Sequence, residues 1–285
     1  MRQLRPLVAH SYRMALRPFI HVITRRFDGP AQPLANALAA TLRNDITTEE
    51  KAWIARIASL REELVSSSAE ISIVDYGAGS PDLSPTDAEM YRGKVVTRTV
   101  GAVCRSGSKS HFWALLLFKL IREYRPTTCL ELGTCLGISA AYQAAALKLN
   151  QGGRLVTLEG ASSLASLAER HLEALGLDNV SVAVGRFRDT LPKVLHQLRP
   201  IDYAFIDGHH AENATLAYFS EIAPFLSDRA VLVLDDISWS EGMRRAWKAI
   251  EADKMVRTSV DLQRMGICMF DSRAQGKRCF RVPMV

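Results

Sequence analysis

Three observations in this sequence predict a doubly wound α/β fold. Five short apolar strands alternate with helices between about residues 107 and 252. The first of those strands runs through a glycine-bearing turn straight into a helix, and three strand-like segments with no helix between them close the chain. Alternation at this spacing makes βαβ units, and right-handed crossovers then place helices on both faces of a parallel sheet.

The elements follow in order. Residues 1–27 mix Arg2, Arg5, Arg13, Arg17, Arg25 and Arg26 with Leu4, Leu7, Val8, Phe19, Ile20 and Ile23, interrupted at Pro6 and Pro18. That basic amphipathic pattern suits contact with an anionic membrane or partner, an import signal, or a helix packed on its own domain with its arginines in water. Thr47 with Glu50 three residues later is a capping box for a helix reaching about Val65. Ile71–Tyr76 alternates like a strand, and Lys94–Val100 could pair with it across a polar loop containing Pro81 and Pro85. Residues 1–105 therefore read as a helical extension with a small β element, and residues 106–285 as the main domain.

In that main part, a helix over about Ser110–Tyr124 precedes strands at Thr128–Leu132, Arg154–Leu158, Val180–Val184, Asp202–Ile206 and Ala230–Leu234. Helices are expected near 137–149, 162–175, 189–198, 211–226 and 240–252. Arg257–Leu262, Gly266–Phe270 and Arg278–Val282 are short strands, the expected source of an antiparallel edge. The overall expectation is a Rossmann-like, mostly parallel, seven-stranded sheet with an antiparallel C-terminal edge, plus the N-terminal extension.

Composition excludes several classes. The longest apolar stretches, such as Ala144–Leu147, are far too short to cross a bilayer, and no signal peptide is visible. Cys104, Cys129, Cys135, Cys268 and Cys279 form no C-x-x-C pair, which suits a reducing compartment. A cytoplasmic protein, peripheral to a membrane at most, is expected. The net charge is +6, but six arginines against Asp28 within residues 1–30 account for +5 of it. A nucleic-acid enzyme spreads basic charge over its working face, so no nucleic-acid partner is expected. A homodimer is one assembly the sequence allows.

The glycine-bearing turn carries the chemistry. The first parallel strand ends in Glu131-Leu-Gly133-Thr134-Cys-Leu-Gly137-Ile-Ser139. Glycines let the backbone approach a ligand closely, and the following helix offers free N–H groups. The second strand ends in Glu159-Gly160, 28 residues after Glu131, where an acid can accept both hydroxyls of a ribose. A dinucleotide site needs G-x-G-x-x-G to seat a pyrophosphate; this loop has only G-x-x-x-G and begins with a carboxylate that would repel phosphate. A carboxylate suits S-adenosylmethionine (SAM), which carries an ammonium and a cationic sulfur. Asp75-Tyr-Gly77-Ala-Gly79-Ser80 also looks like such a loop, but Pro81 and Pro85 prevent a helix from opening at the required point. It reads as a turn.

These residues resemble the catechol and caffeoyl-CoA O-methyltransferase group over about residues 110–250. Cys129–Ala140 is similar to its LELG-x-x-x-G-x-SA loop, and Arg154–Glu159 to its second strand. Val184-Gly185-Arg186 falls where that group turns toward the adenine, which implies Gly185 and Arg186 as cofactor contacts. Asp202–Asp207 resembles the strand ending in its first metal-ligand aspartate, and Asp235-Asp236 falls on its other two ligands, where Asp236 replaces an asparagine. His210 falls on the position of its basic lysine. A bacterial family of SAM methyltransferases with ELGTSLGIS, FIDGNH and DDIHWS motifs is more similar still, over about residues 45–285. His209 and Ser238 depart from its pattern, which has asparagine and histidine there.

Asp207 ends the fourth strand and Asp235-Asp236 the fifth, so all three acids reach one rim. They could hold Mg²⁺ or another hard cation, or Asp207 could contact SAM while the pair orients histidine or substrate. His210, and Asp207 beside it, are the expected catalytic residues, with histidine as base because it titrates near neutrality. Lys109 could approach the SAM or substrate carboxylate, or be a solvated loop lysine. The expected function is SAM-dependent O-methylation of a hydroxyl on a small molecule or carrier-bound intermediate. The rivals are a SAM-binding partner or regulator without catalysis, and a nucleic-acid methyltransferase, for which no N-P-P-Y-like or Pro-Cys motif is present.

Overall fold

Along Tyr203–Ile206 successive side chains enter opposite cores, with Phe205 on one face and Ile206 on the other. That period-2 alternation, repeated strand after strand, builds a central sheet buried on both sides. A computed structural model describes Phe27 and residues 29–77, 86–274, 276–282 and 284.

The strands of this sheet are β3 (Thr128–Leu132), β4 (Arg154–Glu159), β5 (Val180–Val184), β6 (Ile201–Ile206), β7 (Leu226–Leu234), β8 (Val256–Asp261), β9 (Gly266–Phe270) and β10 (Arg278–Arg281). Their spatial order is β10-β8-β9-β7-β6-β3-β4-β5. The sheet thus has eight strands where seven were expected. β9 runs antiparallel to β7 and β8, whereas β10 pairs parallel to β8. The last strand adds its backbone hydrogen bonds outside the antiparallel pair, so the outermost C-terminal pairing is a parallel one.

Helices cover both faces: α5 (His111–Tyr124), α6 (Ile138–Leu149), α7 (Ser162–Ala174), α8 (Phe187–Leu198), α9 (Glu212–Ile222) and α10 (Glu241–Ala252). The chain steps from β3 outward to β4 and β5, then returns to the other side of β3 for β6 and β7. The reversal point lies between the carboxyl ends of β3 and β6, where open parallel sheets bind ligands.

The N-terminal part begins with α1 (Gln32–Arg43) and α2 (Thr48–Ser66). Thr47 Oγ1 accepts the Glu50 N–H while the Glu50 side chain accepts the Thr47 N–H, as the capping box requires. β1 (Glu70–Asp75) and β2 (Lys94–Thr99) form the expected antiparallel pair. Helix α3 (Asp87–Arg92) sits where the polar loop was expected, and α4 (Val100–Gly107) begins at the residue expected to end the second strand and runs on where no element was assigned. Thr86 and Glu89 form a second capping box that announces α3. Buried side chains run without a break from Leu34 and Ile57 to Leu115, Leu147 and Val260, so α1 and α2 share one core with the helices over the sheet. Phe27 packs its ring 4.4 Å from that of Phe280 on β10; the basic residues before it lie outside the described residues. No described helix is long and apolar enough to cross a membrane.

Candidate active site

A cleft of about 240 Å³ opens at the reversal point, lined among others by Gly133, Cys135, Glu159, Gly160, Arg186, Asp207, His209 and His210. Its floor is set by one close approach. Gly133 has φ +105°, and a Cβ there would stand 2.0 Å from the Asp207 carbonyl oxygen. Only glycine lets the end of β3 pass β6 at this separation. The Asp207 N–H in turn donates to the Leu132 carbonyl at 2.8 Å, so the turn and the acid are fixed together.

Glu159 stands at the cleft wall. Its Oε2 accepts the Cys135 N–H at 2.8 Å and its Oε1 accepts the Ala161 N–H at 2.9 Å. Each oxygen keeps a lone pair for a ligand. Burial raises the Glu159 pKa against the pull of the backbone N–H groups of Ala161, Cys135 and Gly160. Cys135, also at the wall, has its thiol pushed up to about 12 by burial and by the charges of Glu159 and Asp207, which keeps it protonated and unreactive.

Glu131 was expected in the cleft and lies beneath it. It is fully buried, accepts from Gln143 Nε2 and Thr157 Oγ1 at 2.6 Å each, and is not among the cleft-lining residues. Burial raises its pKa to about 7, assisted by the Asp207 charge and opposed by the Thr157, Ser139 and Gln143 side chains. Thr134 and Ser139 belong to the same buried layer, with Thr134 Oγ1 2.6 Å from Thr157 Oγ1. Gly137 caps α6 in the left-handed conformation. Gly185 closes the end of β5, its N–H donating to the Glu159 carbonyl at 2.8 Å. Glu131, Thr134, Gly137, Ser139 and Gly185 thus shape the loop from behind the cleft.

The acids at the rim separate into two groups. Lys109 Nζ lies 3.0 Å from Asp207 Oδ1 and is also bonded to Asp235 Oδ2, so one ammonium sits between both carboxylates. Asp236 turns away, with φ +49° and its Oδ1 3.5 Å from Arg264. A divalent cation on Asp207, Asp235 and Asp236 does not fit this arrangement. Its place is filled by the Lys109 ammonium, and the third acid faces another cation. His210 does reach the rim: its Nε2 is 3.9 Å from Asp207 Oδ1 and its ring lies 5.5 Å from that of Trp239. His209 lies between the cleft and the second hollow beside it, its Nδ1 2.8 Å from Tyr218 Oη and its ring against Phe187.

The opposite wall was not anticipated. Residues Ile73–Gly77, at the end of β1, line the same cleft. The Asp75-Tyr76-Gly77 segment is not the turn after β3, yet it reaches the cleft from the other side. Beyond it, Tyr76, Met90, Tyr91, Arg186, Arg188, Tyr218 and Glu221 bound a second hollow of about 300 Å³. The Arg186 guanidinium stacks over Tyr91 at 3.9 Å. The readable signal was the aromatic Tyr76 directly after a strand.

A mostly parallel sheet with this strand order, a glycine turn after β3 and acids at the carboxyl ends of β4 and β6 is the frame of the class I methyltransferases. A family model described as a methyltransferase domain matches residues 130–237. A catechol O-methyltransferase of Niastella koreensis is 31% identical over 161 residues, covering 51% of this chain and 70% of the relative. The mouse catechol O-methyltransferase is 37% identical over 121 residues, covering 41% of this chain and 45% of the relative. Among solved structures, an O-methyltransferase from Bacillus cereus in complex with SAH has a TM-score of 0.51 at 25% identity, covering 58% of this chain and 84% of that one. The chain belongs to the class I SAM-dependent O-methyltransferase family. It spans 45% and 55% of the lengths of the mouse and bovine catechol enzymes.

Proposed function

We propose that this protein transfers a methyl group from SAM to a hydroxyl of a small-molecule acceptor. The observation that carries the reading is Glu159. Its carboxylate is fixed by two backbone N–H groups at the wall of a cleft floored by Gly133, with an oxygen lone pair left for each hydroxyl of a ribose. The solved relatives with bound SAH or SAM support the same cofactor.

In this reading Gly133, Glu159, Gly160, Arg186 and Asp207 line the cofactor's place, while Glu131, Thr134, Gly137, Ser139 and Gly185 hold the loop from behind. SAM supplies an electrophilic methyl on a cationic sulfur. His210 takes the acceptor's hydroxyl proton on its ring nitrogen. The freed oxygen lone pair forms the new O–C bond as the C–S bond breaks, leaving S-adenosylhomocysteine, and the imidazolium later returns its proton to water. Asp207, 3.9 Å from His210 Nε2, stabilises that imidazolium electrostatically. Trp239 keeps the ring at the rim. We read residues 106–285 as carrying this chemistry and residues 1–105 as an extension whose β1 end closes the cleft.

Incubation of the full chain with methyl-labelled SAM and a panel of catechols and other hydroxylated compounds tests the proposal. Label in an O-methylated product supports it. SAM binding with no transfer to any hydroxyl would overturn the catalytic reading.

A further inference from the structure

The resemblance to the catechol enzymes implies a divalent cation at the positions of Asp207, Asp235 and Asp236, and here each of those acids already faces a basic side chain. Asp207 and Asp235 share the Lys109 ammonium, and Asp236 faces Arg264. The triad is well shielded, with side-chain exposures of 13% for Lys109, 10% for Asp207 and 5% for Asp235. Lys109 is also held from behind. Its carbonyl and that of Ser108 both accept from the Arg61 guanidinium on α2, and the Ser108 N–H donates to the Cys104 carbonyl at 3.2 Å. A lysine presented by an untethered loop would swing clear of an incoming ion, but this one is fixed at its backbone.

We propose that Lys109 is the built-in cation of the acceptor site and that methyl transfer here proceeds without a metal. A divalent ion at Asp207 and Asp235 would have to displace the ammonium and then sit beside it, two positive centres in a shielded site where charges interact strongly. An ammonium has three donors. One is spent on Asp235, Asp207 Oδ1 lies 3.0 Å from the same ammonium as an ion pair, and no other acceptor meets it among the described residues. An acceptor hydroxyl seated between Lys109 and His210 would thus give its proton to the histidine while its developing negative oxygen meets the lysine N–H. Lys109 would supply at this point what a metal supplies elsewhere, a fixed positive charge where negative charge develops.

The acceptor chemistry rests on the methyltransferase reading, but the site's occupancy does not, so it is measured without SAM or acceptor. Mn²⁺ is titrated into the full chain, and free Mn²⁺ is counted from its paramagnetic resonance signal. Wild type should show no Mn²⁺ site that Asp235→Asn removes, and Lys109→Met should gain one, lost again in the double variant with Asp235→Asn. A wild-type Mn²⁺ site abolished by Asp235→Asn overturns the proposal, as does a folded Lys109→Met that binds no more Mn²⁺ than wild type. If Lys109→Met does not fold, the comparison of wild type with Asp235→Asn decides alone. SAM calorimetry on the same preparations tests the methyltransferase reading separately: it can succeed while the cation proposal fails, and the reverse.

Discussion

Tyr76 lies so close across Gly160 that a Cβ on the glycine would stand 2.8 Å from the tyrosine ring. The pair joins the end of β1 in the N-terminal part to the end of β4 in the sheet, and both residues line the cleft. The hairpin is therefore a wall of the proposed cofactor site.

Two substitutions should report this contact. Tyr76→Ala removes the ring, and Gly160→Ala forces it aside. Each should weaken SAM binding about tenfold, the ~1.4 kcal/mol scale of one aromatic contact. Unchanged calorimetric affinity in both variants would remove the hairpin from the site.

Much of the site was legible because its signals are local. The glycine turn, the acids closing β4, β6 and β7, and His210 each follow an apolar strand at a short, regular distance. What was not legible depends on pairing between distant segments. Nothing near Lys109 in the chain shows that it meets Asp235, 126 positions away. Glu131 read as a cleft residue because it begins the turn, but the inward side of β3 places it against Thr157 and Gln143. Of the glycine pattern at Asp75–Ser80, Asp75–Gly77 line the cleft and residues 78–80 lie outside the described residues. That location depends on how the β1–β2 pair docks, which no periodicity encodes. The unanticipated helix Asp87–Arg92 is short and preceded by prolines, and only its capping box marks it.

His210→Ala should lower turnover on any acceptor found by roughly 10²-fold while SAM affinity stays near that of wild type. Asp207→Asn should also slow turnover, because the imidazolium loses its nearby charge. A His210→Ala enzyme with wild-type kcat would rule out the base assignment.

Glu131 makes the fold pH-sensitive. Its pKa rises from an ordinary 4.5 to about 7 on burial. An acid raised in the folded state stabilises most below its unfolded pKa, and that contribution is lost as pH climbs through about 7. Glu131→Gln keeps the neutral shape and removes the ionisation. Wild-type stability relative to Glu131→Gln should fall between about pH 5 and pH 7.5, by up to roughly 3 kcal/mol. Parallel Tm-against-pH curves for the two proteins would contradict the assignment.

Glu50 ties α2 to α5. Burial pulls its pKa up, but the Lys119 hydrogen bond at 2.6 Å, the Thr47 N–H and the Lys119 and Arg122 charges bring it below the usual value. Glu50→Ala would strand a buried ammonium and remove half a capping box, costing about 3 kcal/mol. Denaturant unfolding should show it as a lower midpoint. A loss below about 0.5 kcal/mol, typical of an unimportant surface site, would show the pair to be inert.

The most direct measurement is calorimetric titration of the full chain with SAM and with S-adenosylhomocysteine, for wild type and Glu159→Ala. Wild type should bind both ligands one to one. In Glu159→Ala the affinity should be lower by about 2–3 kcal/mol, roughly 30- to 150-fold, since two ribose hydroxyls lose a charged acceptor. Absence of binding by wild type, or equal affinity in the two proteins, would contradict it.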